Sequence, residues 1–361
     1  DCTDLVGLDD VLKRSKVTCY IGYDATASSL HVGHLMNIMM LRWFQKDGHR
    51  VITLLGGGTT KIGDPSFRKT ERPLISDETI SNNLLSLKSI FSKYIKFSSD
   101  FPNALMLNND EWLGRLNYLE FLRDTGKHFS INRMLSFDSV KSRLKKNDPL
   151  SFLEFNYMIL QGYDFYKLNK DHECILQMGG SDQWGNIVNG IELTRRMSGN
   201  KIFGLTSPLL TNSAGQKMGK SSNGAIWLNE DSLSPYEFWQ FWRNCEDEDI
   251  EKYLLHFTEF STERIKELTE RQGQHLNEAK ITLANEVTEL CHGKIESANA
   301  FKTSKAVFSE NSSSSNLPTI EISKKCCAEN ISIIQLLTMS GMVRSGKEAR
   351  RLIIDQAIKL E

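Results

Sequence analysis

The chain has 361 residues, of which 44 are basic and 45 are acidic, and its formal net charge is −1. At about 100 to 200 residues per domain, this length predicts two or three domains and excludes a single small binding module. The balanced charge also excludes a protein that coats nucleic acid over its whole surface, so any nucleic-acid surface is expected to be local.

The N-terminal residues and the cysteines bear on the cellular compartment. No stretch approaches the 18 apolar residues of a membrane span, and the first ten residues, DCTDLVGLDD, are acidic where a secretory signal would be basic. The seven cysteines lack a C-x2-C pair, which indicates reduced thiols and favours incidental thiols over a redox or metal pair at Cys326 and Cys327. We expect a soluble, unsecreted protein, although a first residue of Asp leaves open the earlier removal of a targeting peptide.

The first 222 residues show the pattern of an α/β domain. A β-prone run over residues 17–25, helical spacing over 35–46 and an apolar run over 50–55 that enters three glycines form a β-α-β unit. Such a crossover implies a parallel sheet that binds ligands at the carboxyl ends of its strands. The strand-like run 174–178 also ends in glycines, so three strand ends are expected at one crevice.

The rest of the chain is predicted to be mainly helical. The segment SPYEFWQFWRN places Ser234 as an N-cap and Pro235 in the first turn, and an α-helical domain is predicted over residues 223–305. The Ser/Asn-rich segment SENSSSSNLPT predicts a linker over 306–322, with a structured surface loop as the alternative. Two further helical patterns follow in a third domain over 323–361, which we expect to be incomplete.

Three segments have the chemistry of a phosphate site. In His31-Val32-Gly33-His34, the glycine lets a charged ligand approach the start of a helix, where free N–H groups and the helix dipole favour an anion. The alternatives are a zinc site, which lacks further ligands nearby in sequence, and a structural histidine pair. In KMGKS, Lys217 and Lys220 form a cationic clamp suited to polyphosphate, and the loop GDPSFRKTER could close over a nucleotide. For both loops a solvated charged surface is the alternative.

HVGH followed some 190 residues later by KMGKS matches the paired signatures of class I aminoacyl-tRNA synthetases. YIGYDATASSLHVGH, GHRVITLLGGGTTKIGDPS, EFNYMILQGYDF and QMGGSDQWGNI together resemble the bacterial and organellar type of tyrosyl-tRNA synthetase, from about residue 17 to the end. The resemblance implies a Rossmann-like catalytic domain with an insertion near 113–160, then an α-helical anticodon-recognition domain and the start of an S4-like α+β RNA-binding domain.

The resemblance also implies the reaction and its residues. Members activate L-tyrosine with ATP and Mg²⁺ to tyrosyl-adenylate, then transfer the tyrosyl group to the 3'-terminal adenosine of tRNA(Tyr). No enzyme nucleophile and no tightly bound protein-ligated metal are expected. The implied tyrosine contacts are Tyr20 and Asp164 at the phenol, Tyr157, Gln161 and Asp64 at the ammonium, and Gln177 and Gln183 at the carboxylate. The implied ATP contacts are Asp24, Gly33, His34, Asp182 and Met218, with Thr26, His31, Arg68, Arg72, Lys217 and Lys220 at the phosphates.

One departure from the family pattern concerns the loop SFRKTER. The family commonly has glycine and lysine where this chain has Phe67 and Arg68. Arginine can bind phosphate bidentately but is not equivalent to lysine.

The resemblance implies partners and leaves alternatives open. It implies a homodimer whose interface comes from residues 113–160, and a bacterial cytoplasm or an organellar matrix as the compartment. Basic residues crowd the last 18 positions and predict a local RNA-binding face, with a solvated helix face as the alternative: Arg344, Lys347, Arg350, Arg351 and Lys359. The alternative functions are a tryptophanyl-tRNA synthetase and a non-catalytic, synthetase-like RNA-binding protein.

Overall fold

The computed structural model describes residues 1–66, 70, 72–97, 103–213, 215, 218–221, 224–270, 274–308, 331–343, 345–354 and 358. Only the backbone is described for Asp138, Ser139, Lys220, Ser221, Gln274, Val307, Phe308, Lys347 and Ile354. These residues separate into two compact units, Asp1–Phe301 and Lys302–Glu361. The predicted domain boundaries at 222, 305 and 322 stay predictions.

The first unit is built on a five-stranded parallel sheet of order β3-β2-β1-β4-β5. The strands are β1 (Thr18–Asp24), β2 (Arg50–Gly56), β3 (Ala104–Asn108), β4 (Cys174–Gly180) and β5 (Phe203–Ser207). Helices cover both faces, and β2 is accordingly an almost continuous apolar run, RVITLLG, with six of its seven residues buried. The predicted parallel α/β sheet is therefore confirmed, with β3 and β5 added to the three predicted strands.

Ten helices accompany the sheet in the described part of residues 1–213. They are α1 (Leu5–Arg14), α2 (Val32–Lys46), α3 (Gly57–Thr60), α4 (Asp77–Tyr94), α5 (Asp110–Leu113), α6 (Tyr118–Asp124), α7 (Ile131–Ser136), α8 (Asp138–Lys146), α9 (Phe152–His172) and α10 (Trp184–Ser198). Helix α9 begins where the Ser151 hydroxyl accepts a hydrogen bond from the Glu154 N–H. It is 21 residues long and packs against β4 of the sheet.

A helical region follows in the same unit. The short antiparallel pair β6 (Lys220–Ser221) and β7 (Gly224–Ala225) precedes α11 (Pro235–Arg243), α12 (Ile250–Phe257), α13 (Thr262–Thr269), α14 (Gln274–His292) and α15 (Lys294–Phe308). Ser234 caps α11 in a capping box with Glu237, as the sequence predicts. Phe238, Trp239 and Trp242 are buried in the core that this region shares with the sheet. Helices α12 and α14 pack against α2 and α4.

The second unit contains two described helices of its own, α16 (Ile333–Met339) and α17 (Gly346–Ile354). Leu337, Val343 and Ala349 form their small apolar core. Arg344 and Lys359 lie outside the described residues, as do Cys326 and Cys327. Among the helices of the described residues, none is both long enough and apolar enough to span a membrane.

Candidate active site

A deep cavity opens at the carboxyl ends of the central strands. It lies beside β1 and β4, where the strand order changes direction and open α/β sheets bind ligands. Its volume of about 220 Å³ is some fifteen times what a single water needs. Twelve of the residues named from the sequence line it: Tyr20, Asp24, Thr26, His34, Asp64, Arg72, Tyr157, Gln161, Asp164, Gln177, Asp182 and Gln183.

The other named residues fall into two groups. His31, Gly33 and Met218 adjoin one another at the start of α2, outside the cavity lining. Arg68 and Lys217 lie outside the described residues, and only the backbone of Lys220 is described.

Asp164 lies at the most buried end of the cavity, 2% exposed, on α9. Its two oxygens accept hydrogen bonds from the Trp112 indole N–H at 2.7 Å and from the Asn109 amide at 2.8 Å. Burial raises the pKa of Asp164 to about 7, and the nearby Asp24 charge adds to this rise, whereas the hydrogen bonds from Asn109 and Trp112 lower the pKa. The Tyr20 hydroxyl lies at the same end, and burial and the Asp164 charge raise the pKa of Tyr20, so it stays protonated.

A second carboxylate, Asp24, lies at the end of β1. The Thr59 hydroxyl donates to its Oδ1 at 2.7 Å, and the Tyr157 hydroxyl donates to its Oδ2 at 3.0 Å. Burial, together with the nearby Asp64 charge, raises the pKa of Asp24 to about 6 despite these two donors. The cavity therefore holds clustered negative charge, which suits a cationic group of a ligand.

A third carboxylate, Asp64, follows the glycine-rich end of β2. Gln183 donates its amide Nε2 to Asp64 Oδ2 at 2.8 Å, and Asn186 donates to Gln183 Oε1 at 3.1 Å. The Arg72 Nε donates to the Asp64 carbonyl oxygen at 3.0 Å. Gln183 is thus oriented by both its neighbours and retains one amide hydrogen for a ligand.

Four buried polar atoms of the residues that line the cavity have no hydrogen-bond partner among the described residues. They are the Tyr20 and Tyr23 hydroxyls, Gln161 Oε1 and Gln177 Oε1. An unpartnered buried polar atom costs about 1 to 3 kcal/mol, which a polar ligand would recover. Together with the carboxylates, these atoms fit a zwitterion that carries a further hydroxyl group.

The histidines of HVGH cap their own helix. His31 is the N-cap of α2, its Nδ1 accepts from the Gly33 N–H at 3.0 Å, and His34 Nδ1 accepts from the His31 N–H at 3.2 Å. Each ring that accepts at Nδ1 carries its proton on Nε2. Burial and the neighbouring His31 lower the pKa of His34 to about 3, so His34 is neutral.

The N–H groups that the sequence predicts to be free at the start of α2 have partners within the protein, and anion binding by this segment stays a prediction. The Val32 N–H donates to the Ile226 carbonyl oxygen, the His34 N–H to the His31 carbonyl oxygen, and the Gly33 N–H to the His31 ring. These backbone donors are therefore used within the protein, and the Nε2–H of the cavity-lining His34 is a donor that a ligand could meet.

The KMGKS segment lies against HVGH through two glycines. A Cβ atom on Gly33 would lie 2.8 Å from His31 Cε1, and one on Gly219 would lie 3.0 Å from His31 Nδ1 and 3.1 Å from the Gly33 nitrogen. Gly219 also has φ of +100°, a conformation that other residues rarely adopt. Gly219 is therefore needed for this approach, which brings together segments about 190 residues apart, whereas Gly33 makes room for the His31 ring within HVGH.

Sequence reasoning missed Thr59, Asn109 and Trp112. Thr59 follows the three glycines after β2, whereas Asn109 and Trp112 follow β3. A weak signal was present, because the run ALML before NND repeats the pattern of an apolar strand that ends in polar residues.

Comparison with known proteins agrees with this arrangement. The sequence profile of the tRNA synthetases class I (W and Y) matches residues 12–309. A protein named tyrosine–tRNA ligase from Dinoroseobacter shibae is 58% identical over 361 residues, which is 100% of this chain and 87% of that protein. A protein of the same name from Roseobacter denitrificans is also 58% identical, with the same coverage.

Among solved structures, a C-terminally truncated mitochondrial tyrosyl-tRNA synthetase from Aspergillus nidulans has a TM-score of 0.76 and 34% identity. The match covers 84% of this chain and 89% of the other. The profile, the relatives and the fold agree with the paired HVGH and KMGKS segments beside the cavity. The chain therefore belongs to the class I tRNA synthetases of tryptophan and tyrosine.

Proposed function

We propose that the chain is a tyrosine–tRNA ligase, which forms tyrosyl-adenylate from L-tyrosine and ATP and transfers the tyrosyl group to the 3'-terminal adenosine of tRNA(Tyr). The observation that carries the proposal is the buried end of the cavity. There the Asp164 carboxylate and the unpartnered Tyr20 hydroxyl lie together, 2% and 1% exposed. A phenol hydroxyl can donate to the first and accept from the second.

The same pair explains why tyrosine is favoured over phenylalanine. A bound phenylalanine would leave Tyr20 unpaired and would exclude water from Asp164 without replacing its hydrogen bond. Tryptophan could offer its indole N–H to Asp164, but it has no acceptor for the Tyr20 hydroxyl.

We assign the α-ammonium of tyrosine to Asp64, Tyr157 and Gln161. Gln161 Oε1 is among the unpartnered buried atoms, and Asp64 is held by Gln183. Gln177 and the remaining amide hydrogen of Gln183 are assigned to the carboxylate end. A cation faced by one carboxylate and neutral oxygens is well satisfied.

The tyrosine carboxylate then attacks the α-phosphate of ATP directly, so the enzyme needs positioning groups and cations instead of a nucleophile. The nucleotide is assigned to Asp24, Gly33, His34, Asp182 and Met218. The β- and γ-phosphates are assigned to Thr26, His31, Arg68, Arg72, Lys217 and Lys220. The Nε2–H groups of His31 and His34 can donate to phosphate oxygens without a change of protonation.

Mg²⁺ is proposed to enter with ATP. The ion usually keeps several waters and binds through substrate phosphates in place of an all-protein cage. The described residues contain no group of three His, Cys, Asp or Glu side chains placed to hold a metal. The protein's own contribution would be the cationic and N–H groups around the phosphates.

The tRNA is proposed to bind the helical region and the C-terminal unit. Arg350 and Arg351 lie on α17, and an S4-like domain over 323–361 would use this basic helix on the RNA backbone. We place the enzyme in a bacterial cytoplasm.

A homodimer is proposed through the 113–160 segment. Its helices expose large apolar side chains, among them Tyr118 at 62%, Leu119 at 74%, Ile131 at 65% and Phe152 at 71%. Soluble monomers rarely expose apolar patches of this kind without a partner. Sedimentation equilibrium would test the assignment, and Leu119→Glu with Phe152→Glu should shift the protein to monomer.

Tyrosine-dependent exchange between pyrophosphate and ATP tests the enzyme class. Parallel reactions with tryptophan and phenylalanine should be near background. Exchange that depends on tryptophan would make the chain a tryptophanyl enzyme, and no exchange with any amino acid would support a non-catalytic RNA-binding protein.

The two half-reactions should separate on truncation. Activation uses only the sheet cavity, whereas charging also needs tRNA docking. Deletion of residues 311–361 should therefore leave pyrophosphate exchange intact and weaken aminoacylation of tRNA(Tyr). Equal loss of both activities would mean that this segment supports the catalytic fold.

A further inference from the structure

An aspartate of the helical region is buried at the start of its helix but makes no capping hydrogen bond to the backbone of that helix. Asp249 is the N-cap residue of α12 and is 2% exposed, yet its side chain caps no backbone N–H of that helix. Its Oδ2 instead accepts from the Ser213 N–H at 2.9 Å, and its Oδ1 accepts from the Lys252 ammonium at 2.7 Å. Aspartate at an N-cap normally bonds the first helical N–H groups, so this carboxylate is diverted to another segment.

Lys252 reinforces the same connection. Its ammonium also donates to the Thr211 carbonyl oxygen at 2.7 Å, so the ion pair holds a donor and an acceptor of the segment 211–213. Burial raises the pKa of Asp249, but the Lys252 and Ser213 hydrogen bonds outweigh it and lower the pKa overall. The carboxylate is therefore charged at neutral pH.

Residues 211–213 form the arm that leads into the KMGKS segment. Met218 N–H donates to the Leu210 carbonyl oxygen at 2.8 Å, which joins this arm to the motif. On the other side, the Ile226 N–H donates to the Gly219 carbonyl oxygen, and the Ile226 carbonyl accepts from Val32 of the HVGH helix. The KMGKS segment is thus connected to the helical region through the arm 211–213, and to the start of α2 through Ile226.

We propose that Asp249 and Lys252 are positioning residues for adenylate formation, which hold the Thr211–Ser213 arm and through it the lysine-bearing KMGKS segment beside HVGH. The inference rests on the proposed function, because the proposed function assigns the leaving phosphates to the KMGKS segment. Lysines that stabilise the charge that develops in the transition state are effective only if the backbone that carries them is preorganised. The pair would also connect the position of the tRNA-binding helical region to the activation step.

The test measures the rate constant of tyrosyl-adenylate formation by stopped flow, and the tyrosine dissociation constant by fluorescence titration, in the full chain. Asp249→Asn, which keeps the shape and removes the charge, should lower the rate constant by about tenfold and leave tyrosine affinity unchanged. Asp247→Asn is the matched control, because Asp247 pairs with Lys280 at 2.6 Å within the same helical region. The control should keep the parent rate.

A double-mutant cycle separates positioning from general destabilisation. If Asp249 acts through the KMGKS segment, Asp249→Asn should have little further effect in a Lys217→Ala background. Lys252→Met, a substitution of a 35% exposed side chain, carries the same test should Asp249→Asn fail to fold, and Lys252→Arg should restore most of the rate.

Three results would overturn the inference: an unchanged rate in both Asp249→Asn and Lys252→Met, an equal loss in Asp247→Asn, or full additivity with Lys217→Ala. Each would leave the enzyme class standing if the parent protein still shows tyrosine-dependent exchange. Absence of that exchange in the parent would instead refute the proposed function.

Discussion

The two ends of the cavity are built differently. At the phenol end, side chains hold side chains: both oxygens of Asp164 are fixed by Asn109 and Trp112, and the group is 2% exposed. At the end proposed for the phosphates, His34 lines the cavity, His31 lies beside it, backbone N–H groups donate to both rings, and the KMGKS segment lies against them. A desolvated, side-chain-built end suits selection of one amino acid, whereas a loop-completed end suits stabilisation of charge that moves during the reaction.

The largest effect is expected at the phosphate end. Lys220→Ala removes a cation from the leaving phosphates and should slow adenylate formation by roughly two orders of magnitude, about 3 kcal/mol. Tyrosine affinity should barely move, because the phenol end is unchanged. Stopped-flow activation measures the first quantity and equilibrium titration the second. Lys201→Ala is the control, since Lys201 pairs with Asp4 on the surface. Parent-like activation in Lys220→Ala would show that the clamp assignment is wrong.

Asp164→Ala, in contrast to Lys220→Ala, should mainly weaken the recognition of tyrosine. The charged hydrogen bond to the phenol is worth about 1.5 to 3 kcal/mol, so kcat/KM for tyrosine should fall by about 10- to 150-fold. The value for phenylalanine should change far less, because phenylalanine cannot make this bond. Pyrophosphate exchange with both amino acids gives the ratio. A ratio equal to that of the parent would mean that the phenol is recognised elsewhere.

The pH dependence of KM for tyrosine should also originate at the phenol end of the cavity, from the titration of Asp164. Because burial raises the pKa of Asp164 to about 7, the group becomes increasingly protonated below that pH, and a neutral carboxyl is a weaker acceptor for the phenol than a carboxylate. The carboxylate fraction falls from about one half at pH 7 to about one eleventh at pH 6, so KM for tyrosine should rise about fivefold over this interval.

Trp112→Phe sharpens this assignment. The indole N–H lowers the pKa of Asp164, so its loss should move the midpoint of the KM profile to higher pH. Asp24, with a pKa of about 6, receives no hydrogen bond from Trp112 and should titrate unchanged. Trp239→Phe is the control, because that indole donates to Asn285 in the helical region. If neither Trp112→Phe nor Trp239→Phe moves the midpoint of the KM profile, the role assigned to Asp164 is contradicted.

The smallest effect is expected for Tyr20→Phe. One neutral hydrogen bond is worth about 0.5 to 1.5 kcal/mol, so kcat/KM for tyrosine should fall only about 2- to 13-fold. Removal of the hydroxyl also removes an unpartnered buried group from the free enzyme, which should raise its melting temperature. Tyr94→Phe, which removes a buried hydroxyl on α4, should leave kinetics unchanged. A loss larger than that of Asp164→Ala would reverse the assigned roles.

Local patterns in the sequence were sufficient for the elements that carry their own signals. Apolar runs that end in glycine or aspartate located β1, β2 and β4, and Ser234 with Pro235 marked the start of α11. The segments that resemble the family named twelve of the residues that line the cavity, because motif residues are read without knowledge of their neighbours. Strands β3 (ALMLN) and β5 (FGLTS) escaped, because five-residue strands with few apolar residues and no glycines after them resemble many other segments.

Only the tertiary structure decided which groups those residues meet. The N–H groups at the start of α2 are consumed by Ile226 and by the histidines themselves, which no local pattern shows. Asn109 and Trp112 reach Asp164 because β3 lies beside β2 in the sheet, and strand order is set by packing of the whole domain. No local pattern drew attention to Asp249; its carboxylate accepts from Ser213 because the folded chain brings residues 211–213 against the start of α12. Hydrogen bonds between segments far apart in sequence depend on that packing, so the sequence named the chemistry and the fold assigned its partners.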